Sequence, residues 1–431
     1  MDNKLSIREM TAAARRLLNN GERFTLLGVG PMSKTLLTAA LTLAKEREFP
    51  IMLIASRNQV DSDEFGGGYV CGWDQDRFAA AVRAAALAVG FDGLCYLCRD
   101  HGGPWQRDEE RAARLPVNQA MEICLSSYKH DIVSGFDLLH IDPTKDPHIA
   151  GTVPLDLVLD RTVEIISELE RYRKGKGLPE IGYEVGTEET NGGLTSPEAF
   201  GDFIGKLSSI LADKGLPQPE FVVGQTGTLV RLTQNVGSFN RCNALKLVES
   251  AAVYNIGIKE HNSDYLPDDT LLEHPPLGVT ASNVAPEFGV AETRAWLALA
   301  SVEDRNIPAG QRSGLIALMS EQAVKCGRWR KWMTETPVSG TGQSNAGAES
   351  PPEIILANAD LTARITDICG HYTFEIPAVR DGIQTLRKNL AGIGLDADAY
   401  VICKIRESIE RYAYCYGLYG LTPKLLKAVQ A

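Results

Sequence analysis

Histidine is scarce in this sequence, with 7 among 431 residues. No apolar run approaches the roughly 20 residues that a membrane-spanning helix needs. The N-terminal stretch MDNKLSIREMTAAARRLL reads as an amphipathic helix and lacks the apolar centre of a signal peptide. Clusters of Lys and Arg are also missing, and the formal net charge is −11, which argues against a nucleic-acid partner. That balance does not exclude an anionic substrate, because backbone N–H groups and one or two cations can hold a phosphate. The 9 cysteines are odd in number and scattered, the pattern of reduced, buried thiols in a cytoplasmic protein. Cys95-x-x-Cys98 has no second pair to complete a zinc knuckle and reads as part of a core strand. No G-x-x-x-x-G-K-[ST] loop is found, so nothing supports a kinase.

What is present is an alternation. Short apolar runs at 24–30, 50–56, 92–98, 136–142, 181–186, 220–225, 254–260 and 278–283 are separated by longer stretches of helical period. The runs do not alternate cleanly with polar residues, as expected of strands buried on both faces. Between them, Ser33–Arg47, Asp76–Val89, Asp156–Lys174 and Pro197–Lys214 read as helices, the last opened by the Ser196-Pro197 start signal. Such βα units predict an α/β fold, a (β/α)₈ TIM barrel over residues 1–306. An open doubly wound sheet is the alternative, but no G-x-G-x-x-G follows the first strand. Residues 307–431 predict a C-terminal helical region, with helices at 310–335 and 380–420 and a flexible Gly/Ser/Pro-rich loop at 336–353.

In a barrel of this kind the chemistry sits at the C-terminal ends of the strands. Those ends carry Asn58 and Gln59, Asp100 and His101, Asp142, Glu184 and Glu188, Gln225, His261, and Ser282 and Asn283. A lone polar strand end is usually solvated. Seven converging on one mouth predict a site. His101, His261 and one of Glu184 or Glu188 suit a divalent cation such as Zn²⁺ or Mn²⁺.

The motifs SRNQVD…FGGGY (56–69), RDHGGP (99–104), HIDPTKD (140–146), GTE (186–188), EHNSDY (260–265) and RSG (312–314) resemble those of the tagatose-bisphosphate aldolase accessory-subunit family, sometimes labelled tagatose 6-phosphate kinase. That family is related to the class II, metal-dependent ketose-bisphosphate aldolases. The resemblance spans nearly the whole chain. It implies that Asp100 transfers protons and that His101, Glu184 and His261 ligate a metal. Glu188 and Asp142 join Asp100 as candidate acid/base groups, and Asn58, Gln59, Gln225, Asp264, Ser282, Asn283 and Arg312 as candidate substrate contacts. The chain departs from the pattern after the sixth strand, where Gly224-Gln225-Thr226-Gly227 has no histidine. A second departure is Arg364–Tyr372, where related members carry an Arg/aromatic-rich segment.

Inverting C4 of a 2-ketose cannot proceed by simple α-proton removal, because C4–H is not adjacent to the carbonyl. Cleavage and re-formation of C3–C4 solves this with a carbonyl-polarising metal and an acid/base pair. The expectation is therefore a metal-dependent ketose or ketose-phosphate 4-epimerase of the tagatose 6-phosphate/fructose 6-phosphate type. An aldolase, or a non-catalytic subunit stabilising a separate class II aldolase, is the alternative. A homo-oligomer is also expected.

Overall fold

Each of the eight apolar runs overlaps one strand: β1 (Leu26–Val29), β2 (Ile51–Ser56), β3 (Cys95–Gly102), β4 (Leu138–Ile141), β5 (Gly182–Gly186), β6 (Phe221–Val223), β7 (Gly257–Glu260) and β8 (Ala281–Val284). In the computed structural model, which describes residues 5–186, 194–331, 333 and 351–430, these strands pair in parallel and in sequence order. β8 closes on β1 through Leu26 opposite Ala281, making a closed (β/α)₈ barrel. Most of their residues are buried, which explains their continuous apolar character.

The N-terminal end of the barrel is plugged by the helix Ile7–Asn19. Ser6 starts it with a capping box: Ser6 Oγ accepts from Glu9 N at 3.2 Å, and Glu9 Oε2 accepts from Ser6 N at 2.8 Å. Its apolar face buries Ile7, Met10, Ala13 and Ala14. Its Thr11 and Arg15 side chains bind Glu220, just before β6.

Helices follow the first seven strands, and the expected segments lie at Lys34–Arg47, Gln75–Val89, Leu155–Lys176 and Pro197–Asp213. The wall after β8 is built differently. Pro286–Asn306 follows β8, but Ala397–Cys415 packs between it and Lys34–Arg47. Just beyond that helix, Tyr416 O accepts from Thr25 N at 3.0 Å and Tyr416 Oη donates to Ser282 Oγ in β8 at 2.9 Å. One hydrophobic core accordingly runs from Leu5 to Leu425, beside a smaller cluster around Trp329 and Ile365.

The C-terminal helices are shorter than the sequence predicts. Residues 310–335 contain Leu315–Lys325, bounded by Gly314 and Gly327 in left-handed conformations. Residues 380–420 divide into Pro377–Ala391 and Ala397–Cys415 at Gly392 and Gly394. Ala359–Cys369 is a helix that was not expected. Of the loop at 336–353, residues 336–350 lie outside the described residues. Among the described residues no helix is long and apolar enough to cross a membrane.

One buried carboxyl couples this packing to pH. Glu292 is fully buried on Pro286–Asn306, and its Oε2 accepts from Ser33 Oγ at 2.5 Å. Ser33 Oγ in turn accepts from Leu36 N and so caps Lys34–Arg47. Burial pushes the Glu292 carboxyl up to about 7, against the opposing hydrogen bond from Ser33. Its folded pKa thus exceeds the unfolded one, so the associated stability is complete below about pH 4 and is lost as pH rises through about 7. Between pH 5 and 8 the protein should lose up to about 3 kcal/mol relative to Glu292→Gln. Urea unfolding of both proteins across that range tests this; parallel stability–pH curves would refute it.

Candidate functional site

β3 ends in Arg99-Asp100-His101-Gly102-Gly103, and the glycines let it pack against the helix Val117–Ser134 and the end of β4. A Cβ on Gly102 would lie 2.4 Å from Tyr128 Oη, and one on Gly103 would lie 2.4 Å from Asp142 O. His101 itself has φ +42°, an uncommon backbone state for a residue with a side chain. Close approach brings its Nδ1 to 2.7 Å from Asp142 Oδ2.

A second imidazole is fixed in the same manner. His261, just after β7, places Nε2 at 2.8 Å from Glu184 Oε1 on β5. Glu184 Oε2 accepts from Lys259 Nζ at 2.6 Å, and both side chains are fully buried. Burial opposes the ionisation of both acids. His101 overcomes it for Asp142, and Lys259, His140 and His261 overcome it for Glu184, so both carboxyls are held well below the usual range. As ionised groups they only accept, which makes His101 Nδ1 and His261 Nε2 the donors. The remaining ring nitrogens, His101 Nε2 and His261 Nδ1, therefore face each other, 3.2 Å apart. Two lone pairs so placed need a proton or a metal ion between them. Two nitrogens bound tetrahedrally to zinc lie about 3.3 Å apart, so the spacing fits.

His140 on β4 is the third member. The three histidines offer ligand nitrogens within 4.8 Å of one another. Burial keeps His140 neutral by lowering its pKa to about 4, against the pull of Glu184 and Asp142. Its Nδ1 accepts from His101 N at 3.2 Å, while its Nε2 is buried with no partner. A Cβ on Gly186 would come within 2.9 Å of that Nε2, so glycine keeps the space beside it open. The two facing nitrogens of His101 and His261 and the two orienting carboxylates fit a borderline divalent cation, whereas His140, with Nδ1 accepting from His101 N, bears its proton on Nε2 and joins as a ligand only on changing tautomer.

His101 and His261 of the cluster line a cavity of about 650 Å³ at the C-terminal end of the barrel. Asp100 stands beside it, with Oδ1 accepting from Asn283 Nδ2 at 3.1 Å and lying 3.7 Å from His261 Nδ1. Burial opposes its ionisation, but His101, His261 and His140 hold its pKa below the usual value. Asn283 Oδ1 is buried and unpartnered.

Of the expected substrate contacts, Asn58, Gln59, Asp264 and Asn283 line this cavity. Asp264 also accepts from Ala285 N and Glu287 N at the start of Pro286–Asn306, and burial beside Glu287 pushes its carboxyl up to about 8. Ser282 does not reach the cavity, because its hydroxyl is buried between Ser263 and Tyr416. Gln225 is not among the lining residues either. Arg312 is exposed elsewhere, donating to Ile307 O at 2.7 Å. Glu188 lies outside the described residues. Glu184, expected as a metal ligand, and Asp142, expected as an acid/base group, both face imidazoles. Both orient imidazoles from behind, Glu184 with its oxygens occupied by His261 and Lys259.

Sequence reasoning passed over His140 and Lys259. Each stands two residues before a flagged strand-end group, Asp142 and His261, and so faces the same side of its strand. Arg57 and Asp61 of SRNQVD, by contrast, serve the scaffold. They form a buried ion pair at 3.0 Å, and Arg57 also binds Glu110 at 2.7 Å.

If Asp142 and Glu184 orient ligands, removing one should weaken metal binding without touching the ligands themselves. Asp142→Asn should lower zinc affinity about 10–100-fold, whereas Asp100→Asn should leave metal content unchanged. Equilibrium dialysis against buffered zinc checks this, and equal affinities for wild type and Asp142→Asn would contradict it.

Comparison with known proteins agrees with this architecture. A probable tagatose 6 phosphate kinase from Sinorhizobium meliloti 1021 is similar, at 19% identity and a TM-score of 0.73, over 91% of this chain and 100% of that one. The YdjI aldolase from Escherichia coli K12 has 10% identity and a TM-score of 0.50, over 96% of this chain and 98% of that one. A fructose-bisphosphate aldolase (Fba) from Campylobacter jejuni has 13% identity and a TM-score of 0.50, over 96% and 95%. At such identities the likeness speaks to the fold. The family itself rests on a longer match: residues 11–343 fit the D-tagatose-1,6-bisphosphate aldolase subunit GatZ/KbaZ-like family, and the chain belongs to it.

Proposed function

We propose that this chain is a metal-dependent ketose or ketose-phosphate 4-epimerase that works by cleaving and re-forming C3–C4. The observation that carries the reading is the juxtaposition of Asp100 with the histidine cluster on one cavity, Asp100 Oδ1 lying 3.7 Å from His261 Nδ1. A divalent ion such as Zn²⁺ or Mn²⁺, held by His101, His140 and His261, would supply Lewis-acid polarisation of the ketose carbonyl.

Asp100 is suited to the proton transfer. Its pKa is held below the usual value, so it is ionised near neutral pH and can take the C4 hydroxyl proton. As that proton leaves, the C4–O bond becomes a carbonyl and the C3–C4 pair moves into the enediolate of the other half. Asn283 fixes one Asp100 oxygen through its amide. Rotation of the aldehyde in the cavity presents its other face. Re-addition then inverts C4, and Asp100 returns the proton to the new C4 oxygen. Release of the aldehyde would make the same site an aldolase.

The family description favours a second reading, because it names a subunit of an aldolase. In that reading the chain stabilises a separate class II aldolase catalytic subunit.

The purified chain, supplied with Zn²⁺ or Mn²⁺ and no nucleotide, should interconvert fructose 6-phosphate and tagatose 6-phosphate, or the free ketoses. In D₂O the product should carry no deuterium at C4, since the C4–H bond never breaks. Asp100→Asn should lower kcat about 10²–10⁴-fold with bound metal retained. Deuterium at C4 would rule out carbon–carbon cleavage. No turnover by the metal-loaded chain, together with a gain in activity of a co-purified aldolase, would select the subunit reading.

A further inference from the structure

Two helices of the C-terminal region end at cysteines. Leu315–Lys325 is followed at once by Cys326, and Ala359–Cys369 stops on Cys369. The two pack together, with Thr366 Oγ1 donating to Ser320 Oγ at 2.9 Å. Their ends meet in the cluster around Trp329 and Ile365, where Cys369 is fully buried and Cys326 half-buried. Gly327, at φ +67°, turns the chain after Cys326, and Trp329 anchors the turn by donating from Nε1 to Val324 O at 3.1 Å. The Cys326 thiol donates to Ala323 O at 3.0 Å and accepts from Arg328 N and from the Cys369 thiol. The two sulfur atoms are therefore neighbours.

The pair sits at the cavity, whose lining includes Cys326, Arg328, Arg330 and Tyr372. Arg328, two residues beyond Cys326, places its guanidinium carbon 4.6 Å from the Tyr69 ring centroid and 5.3 Å from that of Tyr372, three residues beyond Cys369. The cavity thus gives access to one sulfur and not to the other. The hydrogen bond from Cys369 draws the Cys326 thiol down to about 7, against burial and with help from Arg328 and Arg330. The same bond, together with burial, pushes Cys369 up, so that it keeps its proton. Burial also pushes up Cys95, Cys98 and Cys124, while Cys242 and Cys403 are exposed. An accessible thiol of low pKa beside a second thiol is the arrangement in which oxidation passes through a sulfenic acid to a disulfide.

We propose that Cys326 and Cys369 form a redox dithiol at the cavity wall, in which Cys326 is the nucleophile toward hydrogen peroxide and Cys369 converts the product to a disulfide. In the first step the Cys326 sulfur attacks one peroxide oxygen. The S–O bond forms, the O–O bond breaks, and the other oxygen leaves as water with the proton of the Cys326 thiol. In the second step the Cys369 sulfur attacks that of Cys326. The S–S bond forms, the S–O bond breaks, and the hydroxyl leaves as water with the Cys369 proton. The two thiols give up two electrons and the peroxide accepts them. This chemistry uses neither the histidine cluster nor a ketose, so it is independent of the choice between an epimerase and an aldolase subunit.

The test is peptide mapping by mass spectrometry of the full chain after treatment with hydrogen peroxide and alkylation of the remaining thiols. A peptide pair joined through Cys326 and Cys369 should appear, two hydrogens lighter than the reduced pair, and dithiothreitol should restore both thiols. Cys369→Ser should leave Cys326 as a sulfenic acid that dimedone labels, and Cys326→Ser should leave Cys369 reduced. The wild-type measurement decides the matter even where a variant folds poorly. Exposed Cys242 and Cys403 serve as reference thiols in the same sample. Oxidation confined to those two, with Cys326 and Cys369 still free, would overturn the proposal. A disulfide from Cys326 to any other cysteine, or oxidation of Cys369 in Cys326→Ser at the wild-type rate, would overturn it too.

Discussion

At the C-terminal end of the barrel, Asp142 and Glu184 each grip one ring nitrogen of a histidine, at 2.7 and 2.8 Å. Two ionised carboxylates in a buried setting are costly unless each is matched by donors. Here the donors are His101 for one and His261 with Lys259 for the other. The arrangement decides which nitrogen of each imidazole is free, and so directs two lone pairs at the same point. Without the carboxylates the rings could turn or change tautomer, and the cluster would lose its common focus.

Much of the surrounding structure serves that focus. Gly103 allows the end of β3 to lie against Asp142, Gly102 leaves room for Tyr128, and Gly186 keeps open the space beside His140. The Arg57–Asp61 pair knits the loop after β2 to itself, and the Arg99–Asp131 pair at 2.5 Å ties β3 to the helix Val117–Ser134. The helix Ala397–Cys415 completes the wall from the far end of the chain, with Tyr412 Oη donating to Ser263 O at 3.1 Å, two residues beyond His261. The C-terminal region therefore supports the site as well as contributing Arg328 and Tyr372 to its cavity.

The barrel was legible in the sequence because strands buried on both faces must be apolar throughout, and the eight runs fall where the eight strands lie. His101 and His261 were legible because one stands at the end of a strand and the other directly follows one. His140 and Lys259 were not, since reading strand ends alone overlooks the inward-facing residue two positions earlier. A lysine inside a strand draws attention only when a buried partner such as Glu184 is known. Glu184 and Asp142 were singled out, but sequence spacing could not show that their oxygens are taken up by His261, Lys259 and His101. Arg328 was beyond reach for another reason: its partners, Tyr69 and Tyr372, are brought to it only by the closure of the whole fold. The candidates Arg312 and Ser282 show the converse, polar residues at suggestive positions whose side chains are used by the scaffold.

The claim on which the rest depends is that His101, His140 and His261 form one metal centre. X-ray absorption at the zinc edge of the zinc-loaded protein counts the imidazoles bound to the ion directly. Three imidazole nitrogens at about 2.0–2.1 Å are predicted. A first shell containing one imidazole or none would contradict it.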